Sequence, residues 1–331
     1  MDGWQVVVKK GEFLPGDPCV YVEIDSVLPE RPEFEFLRDR GFRIKTIKLG
    51  GVLSQGICFP TSIIPLGVVY EDGMDVTDIL GITQYIPTMD RDPEPPPEKP
   101  KRFLMRFKWY RRLVSRRTQS LSGFPSFVSK TDEVRIQNAP HLLDEQNEKW
   151  VFTEKVDGTS ATFILLRHKS LFPFVKDQFE FIVCSRNRRL PKMDDSHYWS
   201  VARDSGVIAF LRDIINTDPW IAVQGEIIGP KIQGNKYKVK RNHFYAFNLI
   251  SPAGRMGSIA ASEICRSHGI SFVPIDHVGE LPNTVEEMLA MAHGKSLINP
   301  SVLREGLVCR SLDGQKSFKA VDPEFLIKHD E

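Results

Sequence analysis

The 331-residue chain has no apolar run near the roughly 18–20 residues that a membrane-spanning helix needs. Its opening, "MDGWQVVVKKGEF", lacks the basic stretch and apolar segment of a secretory signal. The five cysteines (Cys19, Cys58, Cys184, Cys265 and Cys309) are odd in number and never form a CxxC pair. That argues against a disulfide framework or a zinc site and predicts an intracellular, reducing compartment. The eight histidines form no HExxH pattern. Any metal is therefore expected on carboxylates and phosphates, not in an all-protein cage.

Net charge is almost absent too, at +1, yet residues 99–118 carry nine Lys or Arg and no acid. Phe103, Phe107, Trp109 and Tyr110 are interleaved with them. Such a stretch suits a nucleic-acid backbone, with rings for base stacking. A solvated amphipathic helix and a membrane-surface helix have the same composition. The sequence leaves all three open.

The organisation predicts an α+β chain. Residues 1–87 contain short apolar stretches (4–13, 18–25, 42–60, 67–70) between Gly and Pro turns, which predicts a five-stranded OB-like β-barrel. The chain opens almost at once in "GWQVVV", so this barrel is expected to lack its first strand. Residues 88–123 read as a Pro-rich linker followed by the basic segment. Residues 124–331 alternate strands with helices predicted over 196–215 and 258–268, without regular βαβ repetition.

One short stretch raises the question of function. In "FTEKVDGTSATF", Lys155, Asp157 and Gly158 interrupt two apolar strands. Asp-Gly is a favoured hairpin turn, and K-x-D-G alone is a weak signal. Downstream, Arg186, Glu226, Phe247, Glu305, Lys316 and Lys319 supply what a nucleotidyl-transfer site uses. A lysine that attacks a nucleotide α-phosphate must first lose its proton. Partial burial, Lys316, Lys319, Arg186 and a metal are expected to favour the neutral amine. Carboxylates such as Glu305 and Glu226 suit Mg²⁺ or ribose hydroxyls, and an aromatic such as Phe247 can stack on a purine. Gly158 is expected to let backbone approach the ligand closely. Each residue also has an ordinary structural reading: an exposed loop, a core aromatic, a turn, or solvent-facing lysines.

Taken in order, "KVDG", "SRN", "GEIIGP", "FYAFNL", "EGLV" and "SFKAV" resemble the covalent nucleotidyltransferases, which include RNA ligases, DNA ligases and mRNA capping enzymes. "EKVDGTSATF", "GEIIGPKIQGNKY" and "SFKAVDPEFL" are most similar to ATP-dependent RNA ligases, in the branch with an OB domain ahead of the catalytic one. The resemblance spans essentially the whole chain. It implies an OB-like domain followed by an ATP-grasp-like nucleotidyltransferase domain of antiparallel sheets flanked by helices. It also implies a monomeric enzyme that uses ATP and Mg²⁺ or Mn²⁺ to seal RNA 3′-OH and 5′-phosphate ends. Lys155 would form lysyl-AMP, and AMP would pass to the RNA 5′-phosphate before the 3′-OH displaces it. Glu154, Lys155, Gly158, Arg186, Glu226, Phe247 and Lys319 would bind the nucleotide, with Arg135 on phosphate. Asp157, Glu226 and Glu305 would serve the metal, and Lys155, Asp157, Glu305, Lys316 and Lys319 would act in catalysis. In the family the last motif commonly carries two lysines one residue apart. Here that spacing falls on Ser317 and Lys319. The alternatives are a DNA ligase or capping-type guanylyltransferase, and a non-catalytic RNA-binding module.

Overall fold

The computed structural model describes residues 3–85, 123–145, 148–170, 176–191 and 196–329. The Pro-rich stretch 88–100 and the basic stretch 99–118 lie outside the described residues.

In the leading region, strands β1 (Cys19–Val22), β2 (Ser26–Val27), β3 (Thr46–Leu49), β4 (Val52–Gln55), β5 (Ile57–Pro60) and β6 (Thr83–Gln84) alternate with turns. They pair antiparallel as β1 with β5, β2 with β6 and β3 with β4. Together they enclose a core of Val20, Val22, Phe34, Leu37, Ile44 and Leu80. The arrangement is OB-like, but these described pairings do not close a barrel. Two expected strands are not ladder strands. Residues 4–8 run beside β4, where Gln55 N–H donates to Gln5 O at 2.7 Å. One step along, the Val7 N–H is taken by the Ser54 hydroxyl at 3.1 Å instead of by a carbonyl, so the ladder does not continue. At 67–70 a turn closes through Val68 N–H on Pro65 O, and Val69 is left exposed.

The trailing half is built on two antiparallel sheets. One has the order β12-β11-β10-β8-β9, from β8 (Thr159–His168), β9 (Gln178–Cys184), β10 (Trp220–Ile228), β11 (His243–Ser251) and β12 (Gly254–Arg255). The other has the order β13-β7-β14-β15, from β7 (Trp150–Lys155), β13 (Ile275–Gly279), β14 (Gly306–Ser311) and β15 (Ser317–Val321). The back of the first sheet packs Phe163, Val223 and Phe244 against helices His197–Asp204, Val207–Ile214 and Ser258–Ser267. The back of the second packs Trp150, Phe152, Leu307, Cys309 and Phe318 against helix Val285–Ala292.

The single helix predicted over 196–215 is two. Gly206 adopts a left-handed φ of 76° between them, a conformation that costs glycine little and ends the first helix. Helix Val285–Ala292, not among the predicted helices, starts in a Thr284–Glu287 capping box legible in "TVEE". Strand Ile275–Gly279 was likewise not predicted. All five cysteines are free thiols. No helix among the described residues is long and apolar enough to cross a membrane.

The two halves are joined by specific contacts. Val321 and Leu326, from the end of the trailing half, enter the leading core. The Asp25 carboxylate bridges Arg43 at 2.7 Å and Arg135 at 2.9 Å, and Lys48 pairs with Glu324 at 2.6 Å.

Candidate active site

Strand alternation assigns the second sheet's residues to their faces. Trp150, Phe152, Leu307, Cys309, Phe318 and Ala320 point to the back core. Thr153, Lys155, Val308, Arg310 and Lys319 therefore face the other way, and all five line one cleft of about 230 Å³. The register makes them neighbours: Lys155 lies opposite Gly306, while Val308 sits between Thr153 and Lys319. The first sheet supplies the opposite wall through Ser160, Glu226 and Phe247. A second cleft of about 980 Å³ opens between the two halves and shares Lys155, Arg186, Glu305 and Lys319 with the first.

At the centre, Lys155 Nζ donates to Glu305 Oε1 at 2.6 Å, and both side chains are largely buried. Burial would push the Lys155 ammonium down, but Glu305, Glu226 and Asp157 more than offset it and the net shift is upward. This corrects the expectation of a neutral amine: carboxylates outweigh the surrounding cations. The depressed lysine is Lys319, lowered to about 8 by burial and by the Lys155 and Arg135 charges. Its backbone N–H donates to Val134 O at 2.8 Å, which holds strand β15 against the Arg135 segment.

Lys316 is not in this site. It precedes β15 on the Phe318 side of the alternation, pairs with Glu145 at 2.7 Å, and is 47% exposed. The second basic position of the motif is taken by Ser317, which donates to Glu133. Arg135 turns toward Asp25 of the leading region and lines only the larger cleft. Arg186 pairs with Asp132 at the rim of both clefts. Glu154 lines the cleft, but its carboxylate accepts from Leu297 N–H at 2.7 Å, and burial pushes its pKa up. Gly158 is needed for a different neighbour than expected. A Cβ there would meet the Ile227 carbonyl at 2.3 Å, so the close approach is to strand β10.

Sequence reading missed several residues. Lys236 pairs with Asp157 at 2.7 Å, and Asp157 N–H donates to the buried Tyr237 hydroxyl at 2.9 Å. Both belong to "GPKIQGNKY", but only the fold brings them to Asp157. Arg310, 2% exposed, donates to Glu133 at 3.0 Å and holds its guanidinium 5.8 Å from the Phe247 ring centre. Alternation from Gly306 through Val308 was enough to place it in the cleft.

The expected metal trio does not form a cage: among the described residues, no three His, Cys, Asp or Glu converge to hold a metal. Glu305 Oε2 is nonetheless buried without a hydrogen-bond partner. This donor set fits a cation held by one carboxylate, waters and nucleotide phosphates, the usual habit of Mg²⁺.

Residues 148–321 match the RNA ligase family, and residues 1–61 match an OB-fold domain. The chain belongs to the RNA ligase family. No curated protein sequence matches it. Among solved structures it is similar to Naegleria gruberi RNA ligase with PPi, at 34% identity and TM-score 0.79, covering 99% of this chain and 91% of that one. A mutant of the same Naegleria gruberi enzyme with AMP and Mn gives 34% identity and TM-score 0.80, over 99% and 92% of the two chains. Another mutant with ATP and Mn gives 34% and 0.76 over the same shares. In this RNA ligase the cleft of about 230 Å³ has the Lys155–Glu305 contact among its lining residues.

Proposed function

We propose that this RNA ligase consumes ATP as a substrate and seals RNA 3′-OH and 5′-phosphate ends through lysyl-AMP and adenylylated RNA. The observation that carries the reading is the Lys155–Glu305 contact at 2.6 Å, on the floor of a cleft that also holds Lys319, Arg186 and Phe247. The purine lies between the Phe247 ring and the Val308 side of the opposite sheet. Arg186 and Lys319 sit at the phosphate end, where Lys319, partly deprotonated near pH 8 in the free enzyme, becomes fully charged against the polyphosphate.

In the first step the Lys155 Nζ–Pα bond forms, the Pα–O bond to the β-phosphate breaks, and pyrophosphate leaves. The Nζ proton that must depart is already hydrogen-bonded to Glu305 Oε1, the acceptor in place. Nζ lies at the end of a rigid strand, so little reorganisation is needed before in-line attack. AMP then moves to the RNA 5′-phosphate, and the 3′-OH displaces it to close the phosphodiester. A divalent cation would be held by Glu305, with Asp157 and Glu226 beyond, and would offset charge developing on the α-phosphate. The Naegleria enzyme's complexes with ATP, AMP, PPi and Mn support this assignment of nucleotide and cation.

Mass spectrometry after incubation with ATP and Mg²⁺ tests the reading: one AMP adduct on Lys155 is expected, and none in Lys155→Ala. Label from GTP alone would replace it with capping chemistry. Sealing of a nick ending in 3′-phosphate would overturn the assigned end chemistry.

A further inference from the structure

Seven non-glycine residues among those described adopt left-handed backbone, and four of them, Lys231, Gln233, Asn235 and Lys238, fall within eight positions. Such a conformation is unfavourable for most non-glycine residues, so a cluster persists only where surrounding structure enforces it. Here the enforcement is visible. Asn235 closes a ring on Val239, accepting from its N–H at 3.1 Å and donating to its carbonyl at 2.9 Å. Asn299 holds the Tyr237 carbonyl at 2.9 Å, and Ile232 and Tyr237 are buried anchors.

The segment so fixed, residues 229–241, holds five cations and no acid. Lys236 turns inward to Asp157, and Gln233 lines both clefts. Lys231, Lys238, Lys240 and Arg241 point to solvent, and none has a carboxylate partner among the described residues. On the leading half the larger cleft is lined by Glu23, Asp25, Glu71, Asp72 and Asp75, of which Asp25 is paired with Arg43 and Arg135. A polyanion is drawn to the exposed, unpaired cations of residues 229–241 more than to the acidic residues of the leading half.

We infer that residues 229–241 are a preformed platform for the RNA phosphodiester backbone, with Lys231, Lys238, Lys240 and Arg241 gripping phosphates that flank the 5′-phosphate end as it reaches Lys155. The inference rests on the ligase reading above and adds where the RNA lies. The fixed backbone sets where these side chains start, so binding need not order the chain that carries them.

A fluorescent nicked RNA duplex with 3′-OH and 5′-phosphate ends is titrated at several KCl concentrations against wild type and K231Q/K238Q/K240Q. The variant is expected to bind at least about tenfold more weakly, and the slope of log K against log salt to fall by about 2, since each phosphate contact contributes about 0.7–0.9. AMP-adduct formation with ATP alone reports that the cleft remains folded. The pair K240Q/R241Q leaves every left-handed position untouched and is expected to lower the slope by about 1–2, so misfolding cannot hide the result. Unchanged affinity and slope in both variants, with the adduct retained, overturn the platform. A wild type that forms no adduct overturns the ligase reading instead.

Discussion

Glu305 Oε1 lies 2.6 Å from Lys155 Nζ, and this contact, with Glu226 and Asp157 nearby, favours the charged form of the lysine. An ammonium held by a carboxylate cannot attack, so ground-state protection and activation meet in one pair. The same glutamate keeps its other oxygen buried and unpartnered, ready for a cation.

Replacing Glu305 with Gln removes the charge that raises the Lys155 pKa while keeping the volume. The lysine then loses its proton at lower pH. The rate–pH profile of AMP-adduct formation is expected to move toward acid, even if its plateau falls. A profile that stays in place, followed by mass spectrometry across pH, would show that Glu305 does not set the lysine's charge.

Lys319 and Lys316 should behave oppositely. Lys319→Met is expected to slow adduct formation by about 100-fold, the scale for losing one preorganised charge donor. It should also stabilise the free enzyme by about 1–3 kcal/mol near pH 7, because a buried cation is removed. The sign is fixed by linkage. Lys319 titrates at about 8 when folded against an ordinary 10.5, so the unfolded chain binds more protons between those values. Wild-type stability therefore gains a rising contribution from pH 8 to 10.5 that the Met variant lacks, measurable by urea unfolding. Lys316→Ala should change stability by no more than about 0.5 kcal/mol and leave adduct formation intact, since its pair with Glu145 is exposed.

Asp25 sits at a left-handed φ of 65° and joins Arg43 to Arg135 across the two halves. Asn tolerates that backbone but carries no charge. Asp25→Asn should cost about 1–2 kcal/mol in chemical denaturation, because two guanidinium groups lose a shared carboxylate. An unchanged midpoint would mean that the ion pairs do not hold the leading region in place.

Gly158→Ala should cost about 1–3 kcal/mol, because its Cβ would fall 2.3 Å from the Ile227 carbonyl, and backbone cannot yield as a side chain can. The expected readout is a lower Tm with fewer molecules forming the AMP adduct. Normal stability would return Gly158 to a role at the ligand alone.

Much of this was present in the residue order. The order of motifs shared with the family brought Lys155, Glu226, Phe247, Glu305 and Lys319 together in the reading of the sequence, and all five line one cleft. The α+β class followed from strand and helix signals of the ordinary kind. Tertiary structure decided the rest, wherever a partner was distant in sequence. It paired Lys236 with Asp157, sent Arg135 to Asp25 and Lys316 to Glu145, and gave Gly158 a strand for a neighbour. It also reversed the expected charge of Lys155, since a pKa depends on which charges stand within a few ångströms after folding, and sequence order does not contain those distances.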